Sequence, residues 1–132
     1  MKRFPILLLL AVIVPFVHGI EGSRVDRAAL SEKITDSIET DDNRDGRPEY
    51  RLSIDGRAQK IEEVLDTNQD GEMDDFSYYR SGVLYFRELD TNYDGAVDIW
   101  VYIREGVYVE RYERDKDFDG KVDLVKDYGK AK

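Results

Sequence analysis

The sequence predicts an all-β fold, an antiparallel meander of repeated β-hairpins joined by acidic loops, with a short N-terminal helix. Three observations point there. A motif of the form Asp-x-Asn/Asp-x-Asp-Gly recurs four times, its first residues 25, 24 and 25 positions apart. Between the motifs lie runs of aromatic and β-branched residues with a period near two. A Gly-containing turn signal breaks each of these runs midway. A fixed period of this size marks a repeat architecture, in which one supersecondary unit packs on the next.

The first 19 residues are not fold material. Lys2 and Arg3 give a positive start, Phe4 to Val17 is almost wholly apolar, and Val17-His18-Gly19 closes the stretch. That is the layout of a secretory signal peptide over residues 1–19, with cleavage after Gly19. The apolar run is shorter than the roughly 20 residues that a spanning helix needs. The mature chain is therefore expected to be secreted or periplasmic and, after cleavage, free of the membrane. Residues 20–32 form an N-terminal segment. Within it, 24–31, with Val25, Ala28 and Ala29, is expected to be a short helix. Ile34 to Thr40 reads as its continuation or as the first strand, and repeat logic favours the strand.

The repeat domain covers 33–128, and 129–132 is a tail. Each acidic motif runs into a strand: Glu49–Ile54, Asp74–Tyr79 and Asp98–Ile103. The turn signals Asp55-Gly56, Ser81-Gly82 and Glu105-Gly106 follow. Second strands such as Val83–Leu89 and Val107–Tyr112 then lead to the next motif. Short connections pair consecutive strands antiparallel, so the Gly turns fall on one edge of the sheet and the acidic loops on the other. Both faces carry apolar residues: Ile99, Val101 and Ile103 point one way, Trp100 and Tyr102 the other. A flat sheet cannot bury both. It is expected to curl, to stack on itself, or to be partly covered by the N-terminal segment.

The full chain has a net charge of −9, from 20 basic and 29 acidic residues. Losing Lys2 and Arg3 leaves 18 against 29, a net of −11. So acidic a chain is a poor partner for nucleic acid or an anionic membrane and a good one for cations. The chain has no Cys, so no disulfide framework is available. Metal ions are the obvious alternative stabiliser.

The four motifs have the right chemistry. They comprise Asp41, Asn43, Asp45, Arg47 and Glu49; Asp66, Asn68, Asp70, Glu72 and Asp74; Asp90, Asn92, Asp94, Ala96 and Asp98; and Asp115, Asp117, Asp119, Lys121 and Asp123, at loop positions 1, 3, 5, 7 and 9. Calcium takes six to eight oxygens. Alternate side chains at positions 1, 3 and 5 surround one point, and Gly at position 6 permits the reversal because it reaches positive φ cheaply. Position 7 supplies only its carbonyl, so Arg47, Glu72, Ala96 and Lys121 are free to vary. Position 9 closes the far side, directly or through water. Magnesium prefers to keep its waters and a rigid octahedron. Zinc would want His or Cys, and the mature chain has neither. Calcium is thus the expected cofactor, and the meander is one of calcium-binding loops.

These are not EF-hand loops. Position 12, where an EF-hand places a bidentate Glu, holds Leu52, Ser77, Val101 and Lys126. Residues 41–128 resemble instead the Asp-Thr-Asn-x-Asp-Gly hairpin arrays of bacterial exported proteins, often labelled EF-hand-like. The loops are also similar to the calcium loops of integrin FG-GAP repeats. The chain is too short for the propeller that FG-GAP repeats build. The resemblance therefore implies metal ligands and no specific task.

Little in the sequence supports catalysis. His18 is the only His and lies in the signal segment, and no nucleophile elbow or phosphate-cradling Gly loop appears. No enzymatic activity is expected. The expected role is a structural or adhesion module. The alternative is a carbohydrate- or protein-binding module, with extracellular protein or polysaccharide as partner, using Tyr78, Tyr79, Tyr85, Trp100, Tyr102, Tyr108 and Tyr112 as an aromatic face. A row of exposed rings would favour that alternative; buried rings would leave the scaffold.

Overall fold

A computed structural model describes residues 20–129. Residues 1–19, expected to be a signal peptide, and residues 130–132 of the tail lie outside the described residues. The elements are α1 (Arg27–Ser31), β1 (Asp36–Thr40), β2 (Tyr50–Ile54), β3 (Lys60–Leu65), β4 (Asp75–Arg80), β5 (Val83–Leu89), β6 (Ile99–Arg104), β7 (Tyr108–Arg114) and β8 (Leu124–Asp127). The eight strands form one sheet in sequence order, each antiparallel to the next. This is the expected meander, with the first strand where the repeat places it. No helix among the described residues is long and apolar enough to cross a membrane.

Three details depart from the expectations. The helix starts at Arg27 rather than at residue 24. Asp26 caps it by accepting the Ala29 N–H, because Ser23 and Arg24 are engaged by the sheet instead. Position 9 of each loop lies just before its strand, because that acid fastens the loop. The first hairpin does not turn on Gly56. Its left-handed residue is Ala58 (φ 59°), and Asp55 holds the turn by accepting the Arg57 and Gln59 N–H groups. The other two turns use Ser81-Gly82 and Glu105-Gly106 with positive φ at both residues, the conformation whose twist suits a tight hairpin.

Each hairpin carries a bulge at the same place. The extra residues are Ile61, Tyr85 and Glu110, again 24 and 25 positions apart. A bulge turns two neighbouring side chains toward one face. Ile61 and Glu62 are both buried, and the rings of Tyr85 and Phe86 stack 6.4 Å apart.

That face is the core. Val64, Phe76, Tyr78, Phe86, Val97 and Trp100 are buried together, with Ile20, Val25 and Leu30 of the N-terminal segment packed on them. Of the three ways expected to cover the sheet, the N-terminal segment is the one adopted. It is fastened by polar contacts at several points. Arg27 pairs with Glu62 at 2.6 Å. Glu88, fully buried, accepts from the Ser23 hydroxyl (2.7 Å), the Arg24 N–H (2.6 Å) and the Tyr78 hydroxyl (2.9 Å). Arg24 pairs with Glu113, and the Trp100 Nε1–H donates to the Gly22 carbonyl. Glu21 bridges to the third acidic loop, its carbonyl accepting the Val97 N–H at 2.9 Å.

The opposite face is half-buried and carries its own polar knot. Tyr50 and Tyr79 both donate to Glu63, at 2.6 and 2.5 Å. Burial tends to raise the Glu63 carboxyl, but these two hydroxyls and Lys60 outweigh it and hold the group below its usual range. The same contact pushes Tyr50 up to about 12. Of the seven rings proposed as an aromatic face, Tyr78 and Trp100 are buried, Tyr108 is exposed and the other four are in between. They form no continuous exposed row.

Candidate metal centre

All four acidic motifs are loops on one edge of the sheet, joining β1 to β2, β3 to β4, β5 to β6 and β7 to β8. Successive loops are two strands apart, or roughly 9–10 Å. Their backbones repeat closely. Gly46, Gly71, Gly95 and Gly120 at position 6 have φ of 88°, 92°, 86° and 87°. Position 4 is also left-handed in every loop: Arg44, Gln69, Tyr93 and Phe118 have φ of 61–62°. Sequence reasoning did not find that second reversal, because position 4 holds four unrelated side chains. The position is set by its neighbours' hydrogen bonds rather than by its own residue type.

Those bonds come from the predicted ligands. The position 1 carboxylate spans the turn. In the second loop, one oxygen of Asp66 accepts the Gln69 and Asp70 N–H groups and the other accepts Gly71 N–H at 2.7 Å. Asp90 and Asp115 do the same, and Asp41 accepts from Asp45 and Gly46. Position 3 accepts the position 5 N–H in the first three loops, through Asn43, Asn68 and Asn92. Position 5 accepts the position 7 N–H in all four, at 2.8–2.9 Å. Position 9 reaches back to the position 2 N–H: Asp42 to Glu49, Thr67 to Asp74, Thr91 to Asp98 and Lys116 to Asp123. The Thr67 and Thr91 hydroxyls add to this. Thr at position 2 was a sequence signal for that fastening in the second and third loops alone; Asp42 and Lys116 make it through the backbone only.

The loops are also tied to one another. The position 1 N–H of each later loop donates to the position 9 carbonyl of the loop before it: Asp66 to Glu49, Asp90 to Asp74 and Asp115 to Asp98, at 2.8–2.9 Å. Arg47 adds a side-chain tie, donating to the Asp70 carbonyl and lying over Gly71.

Burial divides each loop into base and rim. At the base, Asp66, Asp90 and Asp115 at position 1, and Glu49, Asp74 and Asp98 at position 9, are all buried. Asp123 is exposed because β8 is a short edge strand. Positions 3 and 5 are exposed in every loop. Carboxylate oxygens of Asp41, Asp45 and Glu49 come within 4.8 Å of one another, and so do those of Asp115, Asp117 and Asp123. The second and third loops are not drawn that close. There the Asn68 and Asn92 amides donate to Asp70 and Asp94 at 2.8 Å, so the rim side chains bond to each other. In the fourth loop Asp119 stands outside the triad, paired with Lys121 at 3.1 Å. Of the position 7 residues, Arg47 and Lys121 turn their side chains to these neighbours and Ala96 bridges to Glu21.

Hydrogen bonds, burial and neighbouring acids shift several of these carboxyls. The Asn68 amide and then the Glu72 N–H hold Asp70 below its usual range. Asp74 is pushed up, by burial first and by Asp66 and Asp70, against the pull of Thr67. Asp117 is also raised, by desolvation and by Asp119, Asp123 and Asp115 around it. Buried carboxylates such as Asp66, Asp90 and Asp98 form no ion pair among the described residues. Carboxylate and amide oxygens around one point, with no nitrogen or sulfur donor, suit a hard divalent cation.

No family model matches the chain, and no curated protein does. Among solved structures, it is similar to a variant of S. aureus TarM in complex with fondaparinux, alpha-GlcNAc-glycerol and UDP. The TM-score is 0.42 and the identity 13%, over 85% of this chain and 24% of that one. A second TarM crystal structure gives a TM-score of 0.39 and 14% identity, over 82% of this chain and 22% of that one. The chain thus spans about a quarter of the length of the structures it matches.

Proposed function

We propose that this chain is an exported calcium-binding β-repeat protein that acts as a structural or adhesion module. The observation that carries the reading is the row of four loops with one backbone and a shared hydrogen-bond scheme at positions 1, 5 and 9, the first and fourth of which bring three carboxylates within 4.8 Å of one another. Buried carboxylates without counter-charges, repeated along one sheet edge, repel one another, and a divalent cation in each loop removes that repulsion. Four calcium ions would carry the mature chain from −11 to −3. The residues that would hold them are the side chains at positions 1, 3, 5 and 9 and the carbonyls at position 7. The role is mechanical: the cations would stiffen the edge that carries every β-to-β connection of that side.

The test is thermal unfolding of residues 20–132, followed by circular dichroism in chelator and then in calcium or magnesium. Each site held at a hundredfold excess over its Kd adds about 2.7 kcal/mol. For a domain of this size that is on the order of 10 °C per site. Calcium should raise the midpoint by at least that much, well above magnesium, while sodium chloride should help only through screening. An apo midpoint that calcium leaves unshifted would refute the reading.

A further inference from the structure

The N-terminal segment does not cover the core face completely. An open cleft of about 440 Å³ remains between α1 and the ends of β4, β5 and β6. Its apolar lining includes Val25, Leu30 and Phe86. Its charged lining is three cations, Arg24, Lys33 and Arg80, and one acid, Asp26. The balance is the reverse of the rest of the chain. Asp26 is already engaged as the cap of α1. Arg24 is shared with Glu113 and Tyr102. Lys33 and Arg80 are exposed and form no ion pair among the described residues. Arg80 is held in place by stacking 4.5 Å over the Tyr85 ring, which the β5 bulge brings to this face.

We propose that this cleft is a binding site for an amphipathic organic anion, an aryl or short alkyl group bearing a carboxylate, sulfonate or phosphate. The apolar floor would take the body of such a ligand, and Lys33 and Arg80 would take its head. The volume lies within the range of small-molecule sites, in which an apolar lining carries a few convergent polar groups. A bare inorganic anion has no use for the floor, and a neutral apolar ligand has none for two unpaired cations. A neutral sugar would likewise leave both cations without a counter-charge. The acidic loops play no part in the site, so its fate is separate from that of the calcium reading.

The test uses two fluorescent probes that share one apolar body: anilinonaphthalene sulfonate, which is anionic, and phenylnaphthylamine, which is neutral. The full mature chain is titrated with each in calcium, its fold checked by circular dichroism. The sulfonate is expected to bind once per chain and more tightly than the amine. Arg80→Gln and Lys33→Gln should each weaken the sulfonate about tenfold, the worth of one charge-assisted contact, and leave the amine unchanged. Ala29→Glu, which places an acid at the exposed helix position lining the cleft, should abolish sulfonate binding without touching the stacked arginine. Sulfonate affinity unaltered in these variants, equal affinity for the two probes, or no sulfonate binding would each overturn the proposal.

Discussion

Arg27→Ala tests how the N-terminal segment is held on the sheet. The guanidinium donates to Glu62 at 2.6 Å and lies 4.6 Å over the Phe76 ring. The pair is well buried, with side-chain exposures of 14% and 6%. Removing one member of a buried pair typically costs about 3–5 kcal/mol, because the other is left charged and unpaired. The lower end applies here, since α1 is only five residues long and can lift to hydrate Glu62. The expected loss is about 3 kcal/mol at neutral pH. The pH dependence follows from Glu62, whose carboxyl is raised by burial against the pull of Arg27 and Arg51. A folded-state pKa above the unfolded value means the cost is absent below the ordinary carboxylate range near 4.3 and grows as pH rises through the folded pKa. Without Arg27 that pKa rises further, so the gap between variant and parent should widen with pH. Arg27→Met with Glu62→Leu removes both charges, and also two guanidinium nitrogens that find no partner. That double variant should fall within about 1 kcal/mol of the parent, or exceed it. The assay is urea unfolding in calcium, read from Trp100, the single tryptophan, which is buried under Gly22. A loss below about 0.5 kcal/mol for Arg27→Ala, the range of an ordinary surface change, would show that the segment is not clamped by this pair.

Tyr50→Phe with Tyr79→Phe removes both hydroxyls from Glu63, and stability at neutral pH should drop by about 3 kcal/mol, the low end for two bonds to a charged group. Glu63 is depressed in the folded state, so this contribution is present above the ordinary carboxylate range and lost as pH falls through the folded pKa; the variant and parent curves should converge in acid, and parallel curves would contradict the assignment. Gly95→Ala, at φ 86° with open space around it, should cost about 1 kcal/mol through backbone strain alone. Gly56→Ala, where the turn places no positive φ and an added Cβ meets only Thr35 at 3.7 Å, should be neutral or slightly stabilising; equal losses at the two glycines would count against the turn geometry. Asp94→Ala with Asp98→Ala should remove one calcium per chain from the stoichiometry measured by calorimetry, and an unchanged count would remove the third loop from the set of sites.

The meander was legible because two periods reinforced each other. Period-two runs such as Ile99–Ile103 named the strands, and the 24–25-residue spacing of the Asp-Gly motifs fixed their number and the edge each connection occupies. What covers the sheet was less legible. It depends on contacts between residues more than thirty positions apart, Arg27 with Glu62 and Ser23 with Glu88, and Glu in a strand gives no local sign of being buried. The bulges were invisible for a related reason. They follow from the register between two strands, and the extra residues Ile61, Tyr85 and Glu110 share no chemistry. In the loops, the residue types at positions 1, 5 and 9 marked the acids. Their second task, holding the backbone N–H groups, depends on the folded loop and leaves no mark in residue type. The division between tight triads in the outer loops and Asn-bridged rims in the inner two also depends on the folded loop.

Isothermal calorimetry of residues 20–132 with calcium measures the central claim directly, because it counts ions and does not depend on what the module supports. Saturable binding of up to four calcium ions per chain is expected, with magnesium much weaker. Absence of saturable calcium binding, or magnesium binding with the same stoichiometry and affinity, would contradict it and leave the acidic loops as hydrogen-bonded turns at the edge of a self-sufficient sheet.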